Sequence, residues 1–214
     1  MQLCSPMLPV GAYAYSQGLE FAVSSDWIKD ENTTSMWVQG ILVNALANLD
    51  VPVLSRLHKA WSINDNKNVL YWNDYLFASR DSRELQAEEQ QMAQALSRLL
   101  GDLGISEAVE WSKNSRACFL TLFSLGAAHW KIPVNDASWG YLWMWAENQV
   151  LAAIKLVPIG QTSGQKILSS AIEIIPALVS KGLALKDEDI GYTAPGQGIA
   201  SALHETQYTR LFRS

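Results

Sequence analysis

The spacing of apolar residues constrains this chain most. Val38, Ile41, Leu42, Ala45, Leu46 and Leu49 recur at i, i+3, i+4, i+7, i+8 and i+11, which is one face of an α-helix. Leu54, Leu57 and Trp61 begin a second face, and Leu85, Met92, Leu96, Leu99 and Leu103 form a third. No Asn-Gly or Asp-Gly pair separates alternating apolar segments, so a hairpin signal is missing. No internal repeat with a period of roughly 20 to 50 residues is evident either. At 214 residues the chain suits one domain. The pattern predicts a single all-α globular domain of roughly eight to ten helices.

Caps and breakers divide the stripes. Asn32, Thr33 and Thr34 supply N-cap candidates for the first, and Pro52 marks a break or the first turn of a new helix. A helix is expected over 69–79. Ser82 caps the next one, which turns Glu88, Glu89, Gln90 and Gln91 largely to water and ends at Gly101 and Gly104. Residues 115–129 are apolar nearly all round, as in a central buried helix, and Pro133 closes that segment. An aromatic helix starts at Asp136 or Ser138 and runs through Leu156. The last long helix covers 163–180, is kinked or ended by Pro176, and has Gly182 as its C-cap.

Composition limits function. Hydrophobic residues make up 49% and charged residues 17%, a globular balance that at this length needs no disulfide or metal staple. The net charge is −5 and no cluster of Lys and Arg exists, which argues against nucleic acid. Cys4 and Cys118 are far apart, predicting free thiols and a reducing cytoplasmic setting. Residues 1–10 hold two prolines and no basic residue, so a secretory leader is not expected. The apolar run 118–130 is too short for a bilayer, which takes roughly 20 helical residues, and Glu147 and Lys155 interrupt the run 141–159. A soluble protein without a membrane span is expected. Nine tryptophans are many, and Trp favours both cores and interfaces. The helix bearing Trp139, Trp143 and Trp145 is therefore either central or half of a dimer interface.

Catalytic and metal-binding motifs are missing. His58, His129 and His204 show no paired spacing, and neither C-x-x-C, H-E-x-x-H nor E-x-x-H occurs, so no metal or cofactor is expected. Residues 160–166 (GQTSGQK) imitate a phosphate loop. The glycines are one residue too close, Gln165 intervenes before the lysine, and Ile167 replaces the hydroxyl residue. The segment reads as a helix–loop–helix corner capped by Thr162 or Ser163. Gly196 and Gly198 lack both a third glycine, Ser201 standing there, and a β-α-β context. Cys118 heads an apolar run and reads as inert packing, and no G-x-S-x-G is present.

Two segments differ from core. Residues 5–20 (SPMLPVGAYAYSQGLE) make an irregular start before a short helix, and residues 204–214 (HETQYTRLFRS) mix arginine with apolar anchors. The first resembles the N-terminal signature of the UreF family of urease accessory proteins, and the second resembles that family's C-terminus. Residues 114–117 (NSRA), 153–161 (AIKLVPIGQ) and Gly164-Gln165 also match, so the likeness runs through nearly the whole chain. Met1 stands almost at the signature, where family members often carry several more residues.

The resemblance implies an all-helical protein that is not an enzyme and tends to form a homodimer. It implies binding of UreD (also called UreH), recruitment of the GTPase UreG, and delivery of nickel to the urease apoprotein through the complex. Residues 1–203 would be the helical domain and 204–214 a partner-docking tail that orders on binding. Family likeness selects Tyr15, Gln17 and Glu20, then Lys155, Gln161 and Gln165, then Tyr208, Arg210, Leu211, Phe212 and Arg213 as partner-binding residues. Each group has a structural alternative. Glu20 would cap or bridge a helix terminus, Lys155 would answer a helix dipole, and the tail would strap down its own domain. The competing functional reading is a helical enzyme with a site assembled from Tyr15, Glu20, Lys155 and a histidine, which predicts a deep pocket with convergent polar groups.

Overall fold

A computed structural model describes residues 2–191 and 194–214. Met1 lies outside the described residues. A short helix, Leu19–Ser24 (α1), follows the irregular start. The first two apolar stripes then join into one continuous helix, Glu31–Ser62 (α2). Its N-cap is Asp30, whose carboxylate accepts from Thr33 N at 2.8 Å while Thr33 Oγ1 accepts from Asp30 N at 3.1 Å. The cap therefore sits two residues before Asn32, and Thr33 is the reciprocal partner in a capping box. Pro52 does not break the helix. Leu42–Asp50 winds as a π-helix, and Pro52 falls at the second position of the α-helical stretch Val51–Ser62 that follows. The missing N–H of proline is tolerated where the hydrogen-bond register changes.

Next come Asn66–Ala78 (α3), capped by Asp65, and Arg83–Asp102 (α4), capped by Ser82 as expected, with Leu85 N donating to Ser82 Oγ at 3.1 Å. Gly101 lies inside α4, and Gly104, at φ +91°, makes the left-handed turn after it. A short helix that the spacing does not announce, Ser106–Trp111 (α5), fills the next loop. Phe119–His129 (α6) is buried from Phe119 to Ala127. Val134–Leu156 (α7), Gln161–Ala184 (α8) and Pro195–His204 (α9) complete the order. Pro176 sits within α8 without ending it, and Gly182 is interior rather than a cap. A Cβ at Gly182 would lie 2.6 Å from Ala47 O, so the glycine lets α8 close on the π-helical turn of α2.

The described residues contain nine helices and no strand. Helix α6 is the central one, packed against α2 and α4, while α7 lies along α8 and α1 lies against α9. One large apolar core spans most helices. A second, smaller core joins Leu19 and Ala22 of α1, Ala152, Ala153 and Val157 at the end of α7, Ala200 of α9, and Phe212 of the tail. The Trp139 and Trp143 rings stack at 6.3 Å, half-buried against the main core. By length and composition alone, α2 and α8 are apolar enough to cross a membrane. The apolar stretch of α2 is 72% buried within the protein and that of α8 39%.

Glu88 and Glu89 point inward, contrary to the expectation from α4's stripe. Arg80 explains Glu89. Its guanidinium pairs with Asp50 at 2.7 Å and with Glu89 at 2.5 Å, Tyr141 OH donates to Asp50 at 2.8 Å, and the second Glu89 oxygen accepts from Phe119 N at 2.7 Å at the start of α6. A buried charge group of this kind is tolerated because each member is paired.

Candidate functional site

The two segments that do not read as core meet. Gly18, at φ +84°, packs its α-carbon against α9 so closely that a Cβ would lie 2.8 Å from Ser201 N. The contact brings the start of α1 beside the C-terminal segment. Ser16 N and Oγ both donate to the carbonyl of Ser214, at 2.7 and 2.5 Å. The Glu20 carboxylate, in the first turn of α1, accepts Leu211 N at 2.6 Å and Phe212 N at 2.8 Å. His204 is fully buried between two carboxylates, with Nε2 3.2 Å from Glu20 and Nδ1 2.7 Å from Glu84. Glu84 also holds Arg210 at 2.8 Å.

Phe212 fills the second core, and Lys155 Nζ lies 5.6 Å over its ring. Arg213 N donates to Ala14 O at 2.9 Å, and its guanidinium donates to Gln91 Oε1 at 3.1 Å. Gln17 adopts φ +54° and acts as a hub. Its amide donates to Glu88 at 2.7 Å and accepts from Trp145 Nε1 at 2.8 Å. Glu88 also accepts from Ser214 Oγ at 2.9 Å. Burial pushes the Glu88 carboxyl up to about 7, opposed by the hydrogen bonds from Gln17 and Ser214.

The structure thus gathers most of the residues singled out from the sequence. Tyr15, Glu20 and Phe212 are buried within the junction, and Gln17 is half-buried. Lys155, Tyr208, Arg210, Leu211 and Arg213 are exposed around it. Gln161 and Gln165 stand exposed in the first turns of α8, outside the hydrogen-bonded network. His204 was expected only as the first residue of the tail, and Glu84 and Glu88 were not singled out. Their partners lie 71 to 184 residues away in sequence, and no local pattern reports such pairs.

Tyr15, Glu20 and Lys155 do not converge on a pocket. The Tyr15 hydroxyl donates to Gln91 at 2.7 Å, and Glu20 is occupied by tail amides. A partly open cavity of about 80 Å³ borders the junction without Glu20 or Lys155, lined by Gln17, Asp50, Arg80, Glu88, Glu89 and Tyr141 among others. Asp50, Arg80 and Glu89 are spent on one another, on Tyr141 and on capping α6, and Glu88 on Gln17 and Ser214. Among the described residues no group of three His, Cys, Asp or Glu side chains is placed to hold a metal ion.

Fold and junction define a class: an all-helical protein whose buried polar groups join its chain ends and leave arginine, tyrosine and leucine outside. Comparison with known proteins narrows it. A family model described as UreF matches residues 28–172. The urease accessory protein UreF of Alkalilimnicola ehrlichii is 50% identical over 213 residues, covering 100% of this chain and 93% of that protein. Those of Teredinibacter turnerae and Hahella chejuensis are 44% and 42% identical, each covering 100% of this chain and 96% of the relative. The chain belongs to the UreF family of urease accessory proteins, and so assists an enzyme rather than being one.

Proposed function

We propose that the chain is the adaptor of a cytoplasmic urease-maturation assembly. It binds UreD (UreH), and together they recruit the GTPase UreG, so that nickel reaches the urease apoprotein. The observation that carries the reading is the exposed apolar ridge at the junction. Tyr208 is fully exposed, Leu211 is 67% exposed, and Ile199 and Leu203 on α9 are 54% and 44% exposed. Large apolar groups left in water beside an arginine are the usual anchors of a protein interface. Phe212 and Glu20 already fix the tail, so a partner would meet an ordered surface and the ordering cost of association would be small. The half-buried Trp139–Trp143 stack favours the homodimer, since such a surface gains from a second copy covering it.

The test is co-purification with cognate UreD, read by size exclusion with light scattering. Deleting the tail from His204 onward would also strip Glu20 and Glu84 of their partners, so surface substitutions are cleaner. Tyr208→Ala with Leu211→Ala is expected to abolish the complex while leaving thermal unfolding unchanged. A complex of wild-type strength would overturn the assignment of the surface, and a folded wild-type chain that never binds soluble UreD would overturn the adaptor reading.

A further inference from the structure

Beside the ridge lies a second feature of different chemistry. A cleft of about 270 Å³ opens between the 3₁₀ turn Ala12–Ala14, the outer face of α4 and the end of the tail. Its polar lining is Tyr13, Tyr15, Gln91, Gln94, Arg98 and Arg213. Gln91 and Arg98 are seven residues apart on α4 and so share a face. Arg213 comes from the other end of the chain. It is held there by its backbone N–H to Ala14 O at 2.9 Å and its guanidinium to Gln91 at 3.1 Å.

The charge of this cleft is unbalanced. No acidic residue lines it. Arg56, Arg80 and Arg210 each have a carboxylate partner, at 2.9, 2.7 and 2.8 Å. Among the described residues neither Arg98 nor Arg213 has one within 4.0 Å. In a chain of net charge −5, two uncompensated guanidinium groups in one cleft form a local positive site.

The paired guanidinium forks suit one kind of anion in particular. Phosphate sites draw on backbone N–H groups at helix N-termini or in nests. Here four of the surrounding amides are committed: Val10 N to Leu8 O, Ala14 N to Gly11 O, Tyr15 N to Ala12 O, and Arg213 N to Ala14 O. The charged donors are the two guanidinium forks, joined by the side-chain amides of Gln91 and Gln94 and the hydroxyl of Tyr13, a residue 72% exposed. Planar forks match a carboxylate edge to edge. Val10, Ala14 and the Tyr13 ring give a wall for the carbon stem of such a side chain.

We propose that this cleft is a docking subsite for an acidic side chain, Asp or Glu, carried by an exposed segment of a partner protein in the assembly. Arg98 and Arg213 supply the charge and Tyr13 the wall. The proposal rests on the adaptor reading and extends it. The subsite exists only while Arg213 is held against Gln91, so acidic recognition depends on the tail being docked on its own domain.

The experiment uses the full chain with its cognate UreD and UreG, measuring assembly by titration at several salt concentrations. Arg98→Ala with Arg213→Ala is expected to raise the dissociation constant roughly ten- to hundredfold and to flatten its salt dependence. The double lysine variant should fall between, because charge is kept and the fork is lost. Thermal unfolding checks folding. Arg98→Ala alone, which removes no hydrogen bond seen within the described chain, gives a several-fold loss and keeps the test open if the double variant is unstable. Unchanged affinity and salt slope in a folded double variant, with wild type assembling normally, overturns the subsite and leaves the adaptor standing. Failure of wild type to assemble overturns the adaptor reading itself. If millimolar inorganic phosphate stabilises wild type but not the double variant while assembly is unaffected, the cleft holds free anions and the proposal is wrong.

Discussion

The carboxylate of Glu20 accepts the backbone N–H of Phe212 at 2.8 Å, closing a loop of 192 residues. The same carboxylate takes Leu211 N and faces His204, so one side chain at the start of the chain carries much of the attachment of its end. Replacing Glu20 by Ala leaves two amides and an imidazole without their acceptor. The expected loss is about 2–4 kcal/mol of folding stability, since a buried unsatisfied donor costs roughly 1–3 kcal/mol. Urea unfolding should show a lower midpoint, and hydrogen exchange at Leu211 and Phe212 should accelerate. Exchange at wild-type rates would mean that the tail is held by Phe212 packing alone.

Glu88 gives a pH dependence of definite sign. Its carboxyl is raised from 4.5 to about 7 by burial. The folded state therefore holds the proton more tightly than the unfolded state, and the group's stabilising contribution is full below pH 4.5 and lost as pH rises through 7. The loss is on the order of 3 kcal/mol at most, at about 1.4 kcal/mol per unit. Glu88→Gln cannot ionise, and it retains an oxygen for the Gln17 amide. Relative to wild type it should gain stability between mildly acidic and mildly alkaline pH. Parallel curves for the two proteins would place the wild-type carboxyl near its ordinary value.

What could be read from the sequence, and what could not, divides along one physical line. Apolar periodicity located the long helices, because it records which face each presents to the core. Ser82 was identifiable as a cap from its place before a stripe. The inward turn of Glu88 and Glu89 was not, since it depends on Gln17, Ser214 and Arg80, which only the tertiary fold brings near. Pro52 looked like a boundary because proline lacks an N–H, and a π-helical turn absorbed the defect. The chain-end segments stood out by composition and family likeness. Their mutual contact was invisible, as no spacing rule links Glu20 to Phe212.

Two glycines offer a paired test of helix packing. A Cβ at Gly182 would meet Ala47 O and Val51 Cγ1, each at 2.6 Å, one of them a backbone atom that cannot swing aside. Gly182→Ala should cost about 1–3 kcal/mol through overpacking. At Gly40, in α2, nothing lies within 4 Å of the added carbon. Gly40→Ala should instead stabilise by about 0.5–1 kcal/mol, by lowering the backbone entropy of the unfolded chain. Calorimetric melting of both variants checks the contrast, and equal shifts would refute the close approach of α8 to α2.

Neighbouring residues in the tail should separate folding from binding. Phe212 is 7% exposed and sits in the second core under Lys155, whereas Leu211 is 67% exposed. Truncating a buried phenylalanine costs about 3–5 kcal/mol in a core. The lower end is expected here, because a chain terminus can collapse around the gap. Phe212→Ala should therefore lower the melting temperature and, by loosening the segment that carries Arg210 and Arg213, weaken partner binding indirectly. Leu211→Ala removes no internal packing of that kind, and its stability should stay within about 0.5 kcal/mol of wild type. If it nevertheless weakens co-purification with UreD, the side chain contributes through contact and not through fold. If Leu211→Ala instead lowers stability as much as Phe212→Ala, the ridge is part of the strap and partner binding must use another surface.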